Sequence, residues 1–229
     1  MSIDHYRYIK PIPDKFLNWK EENLVIEYSD WIFEQSNCPS LKIDIPVPVN
    51  DIWNEANANF KHFVKHRDFE NNKGWKSATI HGIDTPYTNS WAFYGLATEP
   101  LYNWTSLGNV CLKTKEWLQN FPCTQFQRVR FMLLEPGGFI ATHKDNEHRA
   151  LDAINVAITH PVDCNFYMED ADIIPWRPGD VRLVDIGRNH SVVNDSDYPR
   201  LHMIIHGWWS KELKIKACIA YDSLASLYF

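Results

Sequence analysis

Two potential metal ligands stand two residues apart in His143-Lys144-Asp145, so that on a strand both side chains leave the same face. A lone His-x-Asp carries little weight, because a chain with ten His and this share of Asp produces about one by chance. Two residues further along the chain give the pair its meaning. His190 comes after a strand and a turn, and Arg200 arrives ten positions later at the start of the next strand. Two imidazoles and one carboxylate on one side of a metal leave adjacent coordination positions open for a chelating partner and an oxidant, the arrangement non-haem Fe(II) oxygenases use. Arg200 can pair through two parallel hydrogen bonds with a carboxylate at the far end of a dicarboxylic chelator.

Other residue types at the same spacings carry weaker signals. Arg128 and Arg130 share strand parity with Met132 and Leu134, so an inward face would bring two cations with it. They would then hold a carboxylate; otherwise Arg128 lies at a solvated rim and Arg130 meets a structural acid. His202 and His206 share parity with Arg200, and hydrogen-bonded core roles are expected of both. His62 and His66 lie one helical turn apart among Lys61, Lys65, Arg67 and Asp68, which reads as a solvated face. His148 and Arg149 lie close enough to Asp145 to border the site. Trp75, Trp91, Phe93, Tyr94 and Trp104 are either a substrate wall or core.

The elements that must position these groups change character along the chain. Roughly the first 124 residues carry helical signals. Ile52, Ala56, Phe60, Phe63 and Val64 recur at helical spacing over Asp51 to His66, with Asn50 as N-cap; further helices are expected near Asn109 to Asn120 and Asp14 to Phe33. From about residue 125 to 213 the chain reads as short strands: Phe126 to Leu134, Ile154 to Thr159, Asn165 to Met168, Val181 to Ile186 and Leu201 to Trp209. Turn signals at Pro136-Gly137-Gly138 and Pro178-Gly179-Asp180 separate them. The expected fold is mainly β with flanking helices, an antiparallel barrel or sandwich as a single domain over residues 1–229, with 214–229 a C-terminal segment.

Bulk composition sets limits on function. A formal net charge of −6 over 229 residues argues against binding nucleic acid through its phosphates. The first twenty residues contain no apolar signal core, and no long apolar run suggests a membrane span. The five cysteines are widely spaced without a C-x-x-C pair, so reduced thiols and a cytoplasmic location are expected.

Two segments resemble the aspartyl/asparaginyl β-hydroxylase family of Fe(II)/2-oxoglutarate-dependent oxygenases. The first runs from Phe131 through Glu135-Pro136-Gly137-Gly138 to His143, similar to the family's strand, Pro-Gly turn and proximal metal histidine. The second runs from Asp185 to Leu213, with His190, the ten-residue step to Arg200, and the tail Trp208-Trp209-Ser210-Lys211-Glu212-Leu213. Gly74-Trp75-Lys76-Ser77 is a fainter echo of a segment preceding the barrel in bacterial relatives. The resemblance implies a double-stranded β-helix of the jelly-roll or cupin type, Fe(II) on His143, Asp145 and His190, 2-oxoglutarate on Arg200, O2, and hydroxylation of an unactivated C–H bond. Asn155 falls near a family histidine that contacts the cosubstrate's other carboxylate, and Arg130 is a further cosubstrate or substrate candidate. The chain departs from its animal relatives in having Asp145 where they lack a carboxylate, and Met132 where they use a Ser against the cosubstrate. The substrate implied is an amino acid, small acid or peptidyl side chain. Two other classes share these residue types: a cupin-like Zn(II) or Mn(II) hydrolase or isomerase, and a non-catalytic barrel that binds a small acid.

Overall fold

Three neighbouring strands divide their side chains by strict alternation. Val129, Phe131 and Leu133 of one strand, Ile154, Val156 and Ile158 of the next, and Leu201, Met203 and Ile205 of the third belong to one buried apolar cluster. The residues between them, including Arg130, Met132, Asn155, Arg200 and Ile204, line a cavity on the opposite face. A pleated backbone forces this division, because successive Cβ atoms point to opposite sides. The computed structural model describes residues 6–67 and 71–229.

The strands form one curled antiparallel sheet: β1 (Ser40–Ile43), β2 (Val64–Lys65), β3 (Lys73–Gly82), β4 (Asn103–Trp104), β5 (Cys123–His143), β6 (Leu151–Thr159), β7 (Cys164–Met168), β8 (Asp172–Ile173), β9 (Val181–Asp185), β10 (His190–Asn194) and β11 (Arg200–Trp209). Their order is β1-β9-β6-β11-β5-β10-β7-β8, with β3 also on β5 and flanked by β2 and β4. The 21-residue β5 serves two layers: Cys123 to Leu134 pair with β11, and Gly138 to His143 pair with β10. The double-stranded β-helix thus closes around a second apolar cluster that includes Met132, Leu134, Ile140, Phe166, Trp176 and Val192.

Helices cover the outer face. The chain's α1 (Val25–Gln35), α2 (Val49–Ala58), α3 (Ser106–Val110), α4 (Leu112–Gln119) and α5 (Lys211–Ala225) bury residues such as Tyr28, Ile32, Ile52, Leu118, Leu213 and Tyr221 against the sheet. Asp222 on α5 ties down the N-terminal segment by accepting from Trp19 Nε1 at 3.0 Å and Tyr28 Oη at 2.7 Å. Ser210 caps α5 by accepting from Leu213 N–H. All five cysteines are free. Among the described residues no helix is long and apolar enough to cross a membrane.

The fold departs from the sequence expectation at several points. The region before residue 125 is not only helical, since β1 and β3 enter the main sheet, β3 as a ten-residue partner of β5. The helix expected from Asp51 ends at Ala58, begins after Pro48 rather than Asn50, and gives way to a 3₁₀ turn and β2. The Asp14 to Phe33 expectation divides into a short 3₁₀ turn and α1. Pro136-Gly137-Gly138 does not end a strand. It bends β5 from one layer into the other, with Gly137 at φ +64° and Gly138 packed so tightly that a Cβ would lie 2.7 Å from Lys73 O and 2.8 Å from Glu135 O.

That bend carries His143 into place, so its steric limits are testable. Gly138→Val is expected to lower stability by about 2–4 kcal/mol, because backbone atoms must move to admit the side chain. Gly137→Asn meets open space and an αL backbone that Asn tolerates, so it should cost less than about 1 kcal/mol. Urea denaturation of both variants reads the difference.

Candidate metal centre and cavity

His143 is the last residue of β5, and His190 is the first of β10, directly opposite it in register. Antiparallel pairing therefore brings the two imidazoles together, with ring centroids 4.4 Å apart. Asp145 is not on the strand, as its spacing from His143 suggested, but in the loop beyond it, where its N–H donates to Ile186 O at 2.9 Å. One ligand atom from each of His143, Asp145 and His190 lies within 4.8 Å of the others. Asp145 Oδ1 is 3.8 Å from His143 Nε2, and its Oδ2 is 3.9 Å from His190 Nε2.

The donor set is oriented for a cation. His143 Nδ1 lies 2.8 Å from Ala141 O, and His190 Nδ1 lies 2.9 Å from Arg188 O. A carbonyl can only accept, so each Nδ1 carries the proton and each Nε2 presents its lone pair to the cluster. Burial, with His143 beside it, holds His190 below the usual imidazole range. Burial opposes ionisation of Asp145, but the Arg67 guanidinium, 3.0 Å from Oδ1, outweighs it and holds the carboxyl below its usual range. Two neutral imidazoles and an ionised carboxylate are the forms that bind a first-row divalent metal.

A clasp behind the ligands fixes their loops. Arg188 is buried, with Nε donating to Asp185 Oδ2 at 2.8 Å, Nη1 to Asp170 Oδ2 at 2.9 Å and Nη2 to Asn37 Oδ1 at 2.6 Å. Asp185 Oδ1 accepts from Gly187 N and Ala150 N, joining the loop before His190 to the loop after Asp145. Gly187 makes the approach possible, since a Cβ there would fall 1.9 Å from His148 O. Neither Arg188 nor Gly187 stands out in the sequence, because nothing in their spacing shows that two loops cross there.

The cluster opens into a cavity of about 580 Å³ that also reaches Arg200, Asn155, Arg130, Arg128, His206, His66, Trp75 and Phe93. Arg200 is 3% exposed, sits over the Phe166 ring, and has no partner for its Nε. Among the described residues no carboxylate pairs with it. Burial pulls its guanidinium down to about 10, still charged at neutral pH. Its Nη2 meets His202 Nδ1 at 2.9 Å, His202 Nε2 meets His160 Nδ1 at 3.0 Å, and His160 Nε2 meets Cys164 O at 2.8 Å. The carbonyl at the end of this row sets every polarity: His160 donates to Cys164 O, His202 donates to His160, and Arg200 donates to His202. The Asn155 side-chain amide lies 2.8 Å from the same His202 nitrogen, Nδ1.

The remaining candidates separate clearly. His202 has the core role expected of it, whereas His206 lines the cavity and meets Arg130 Nη2 at 3.2 Å. His66 is not on a solvated face: it is buried, its Nδ1 meets Thr88 Oγ1 at 3.0 Å and Ser77 Oγ at 2.9 Å, and its ring packs on Trp75. Asp68, nearby in sequence, lies outside the described residues. Arg149 pairs with Glu169 and Asp170 outside the cavity. Trp75 and Phe93 line the cavity, while Trp104 packs on His81 and Phe126.

The profile of the Aspartyl/Asparaginyl beta-hydroxylase family matches residues 49–209, a span that contains the whole ligand cluster and the inward arginines. No curated protein matches the sequence. Solved structures similar to this chain include a prolyl-4-hydroxylase from Pseudomonas putida, 14% identical over 80% of this chain and 98% of that one, with a TM-score of 0.44. The viral collagen prolyl hydroxylase from Paramecium Bursaria Chlorella virus-1 is 12% identical over 74% of this chain and 96% of that one, with a TM-score of 0.45. A 2OG-Fe(II) oxygenase family oxidoreductase from Burkholderia pseudomallei is 10% identical over 82% and 91%, with a TM-score of 0.47.

The buried networks lead to two expected outcomes. Arg188→Met leaves Asp185 buried without its cation and should cost about 3–5 kcal/mol in urea denaturation. Burial holds His160 down at about 4, whereas an unfolded histidine titrates near 6.5. The unfolded chain therefore takes up this proton first, so the histidine's contribution to stability is present above about pH 6.5 and is lost as pH falls towards 4. His160→Gln should make the dependence of unfolding free energy on pH shallower over that window, measured by urea titrations at half-unit steps.

Proposed function

The chain belongs to the aspartyl/asparaginyl β-hydroxylase family, and from that premise we propose that it hydroxylates a C–H bond of an amino acid, small acid or peptidyl side chain, with Fe(II), 2-oxoglutarate and O2. The overall reaction is R–H + 2-oxoglutarate + O2 giving R–OH + succinate + CO2. The observation that carries the reading is the convergence of His143, Asp145 and His190 beside a buried arginine that no protein carboxylate among the described residues neutralises. Iron supplies oxygen activation and C–H oxidation when held by these three side chains.

The protein's own groups do the positioning. His143 and His190 offer Nε2 because the Ala141 and Arg188 carbonyls hold the Nδ1 protons. Asp145 offers a carboxylate already ionised by Arg67. Arg200 binds the distal carboxylate of 2-oxoglutarate, with its fork aimed by His202 and its Nε left for that ligand. Met132, Ile140, Phe166, Val192 and Ile204 make the intervening wall apolar, which strengthens the ion pair and keeps bulk water from the reacting centre. Where animal relatives use a Ser, Met132 gives no hydrogen bond; the imidazole row behind Arg200 takes over its orientation. A hydrolase or isomerase has no use for a carboxylate-binding arginine facing the ligand cluster, which favours the oxygenase reading over the cupin-like alternatives.

Succinate formation from 2-oxoglutarate in the presence of Fe(II), ascorbate and a panel of amino acids and small acids tests the proposal. His143→Ala, Asp145→Ala and His190→Ala are each expected to lower Mn(II) affinity at least tenfold and to abolish turnover. Arg200→Met is expected to raise the Kd for 2-oxoglutarate by about 10- to 100-fold, the loss of two charge-assisted hydrogen bonds. Turnover that needs no Fe(II), or that survives loss of His143, would refute it.

A further inference from the structure

The cavity holds two more guanidiniums besides Arg200 and Arg67, and no carboxylate among the described residues lies within ion-pair distance of either. Arg128 and Arg130 leave the same face of β5 and both line the cavity. Arg130 is 7% exposed; its Nη1 donates to the Thr88 carbonyl, its Nη2 meets His206, and its Nε has no partner. Arg128 is half-buried, and its guanidinium makes no hydrogen bond or ion pair with any described residue. His206, between them across β11, is kept neutral by burial and by both arginines, so it accepts from Arg130 and supplies no countercharge. The two acids that line the cavity are engaged elsewhere, Asp145 with Arg67 and Asp152 with Asn146.

Arg200 and the pair Arg128 and Arg130 reach the ligand cluster through different side chains. Arg200 sits over Phe166, which stacks on His190. Arg130 donates to Thr88, whose hydroxyl meets His66, whose ring packs on Trp75 beside His143. In register Arg200 faces Leu134 of β5, four residues along from Arg130, a separation of about 13 Å at the rise of a strand. One small dicarboxylate bound at Arg200 leaves Arg128 and Arg130 free. Placing two like charges side by side in a half-enclosed site is unfavourable unless an anion arrives to share them. Guanidinium forks match the planar, two-oxygen face of a carboxylate.

We propose that Arg128 and Arg130 form an anion subsite for the substrate, and that the enzyme hydroxylates a carboxylic acid whose carboxylate docks there while its C–H bond is presented to the metal. The inference rests on assigning Arg200 to 2-oxoglutarate. Arg128 and Arg130 then set specificity: an ester or carboxamide of the same skeleton is rejected, because it leaves both cations unmatched. Phe93 and Trp75 shape the space beside the carboxylate, so the acid carries an apolar body that fits against aromatic rings.

The test uses the Zn(II)- and 2-oxoglutarate-loaded protein, titrated calorimetrically with the proteinogenic amino acids and with C3 to C6 carboxylic acids, each beside its primary carboxamide. At least one acid should bind, and its carboxamide should bind at least tenfold more weakly. Arg128→Met and Arg130→Met should each weaken that acid at least tenfold while changing 2-oxoglutarate affinity less than threefold, and Arg200→Met should do the reverse. Arg130→Met should also keep or raise the Tm of the ligand-free protein, since it removes an unmatched buried charge. Failure of every acid to bind, equal binding of acid and carboxamide, or unchanged acid affinity in both arginine variants overturns the subsite. A fall in Tm of about 10 °C or more with joint loss of both ligands marks Arg130 as structural and overturns it too. If 2-oxoglutarate affinity is indifferent to Arg200→Met, the cosubstrate assignment falls first, and the subsite with it.

Discussion

The two-residue alternation of β5, β6 and β11 is the constraint on which the rest of the structure depends. Each of these strands must present apolar side chains to the helical layer on one face and the working residues on the other. A slip of one residue in any register would put Arg130, Asn155 or Arg200 under the helices and an isoleucine or leucine in the cavity. The helices α1, α2, α4 and α5 therefore do more than cover a sheet. By burying Val129, Phe131, Leu133, Ile154, Val156 and Met203, they fix the face on which Arg130, Asn155 and Arg200 lie.

Register alone brings His143 and His190 to the same place, but it does not aim their nitrogens. That is done by two backbone carbonyls and by the crossing of two loops at Gly187, held by Asp185 and Arg188. The same logic recurs around Arg200, where a carbonyl at the end of a row of imidazoles decides which atom donates at each step. In both cases a buried polar group has one satisfactory partner and one orientation, so the chemistry-bearing atom is left facing the cavity. Hydrogen bonds here contribute direction more than net stability.

Much of the fold and the site is legible in the sequence, and the rest is hidden for physical reasons. The parity of Arg128, Arg130, Met132 and Leu134, and that of Arg200, His202 and His206, can be read because a strand's side-chain period is fixed. The length of β5 cannot, because Pro136-Gly137-Gly138 is also the composition of a turn; only the long-range contacts of Gly138 with Lys73 and Asn194 show it as a bend. β3 escapes notice because Gly74, Lys76 and His81 interrupt its apolar signal, and its partner β5 lies far along the chain. The charged neighbours of His66 mislead: local composition describes a surface on average, whereas the Ser77 and Thr88 hydroxyls that bury this imidazole come from distant segments. Asp145 keeps its expected company but not its expected strand, since a loop pinned by one backbone bond to Ile186 reaches the same point.

The distribution of charge ties the fold to its ligands. The chain as a whole is negative, yet four arginines face the cavity and only Arg67 among them has a carboxylate within ion-pair distance among the described residues. Acidic side chains are plentiful, and the fold places them elsewhere: Asp180 is engaged by Lys42 and Arg182, Asp185 and Asp170 by Arg188, Asp222 by α1. A buried cation without a partner lowers stability, so a fold that pairs Arg182 and Arg188 with carboxylates while leaving several cavity arginines without one has its unmatched charge concentrated in one chamber. The low-dielectric walls of that chamber concentrate its field, drawing in anions that the negative exterior would otherwise repel.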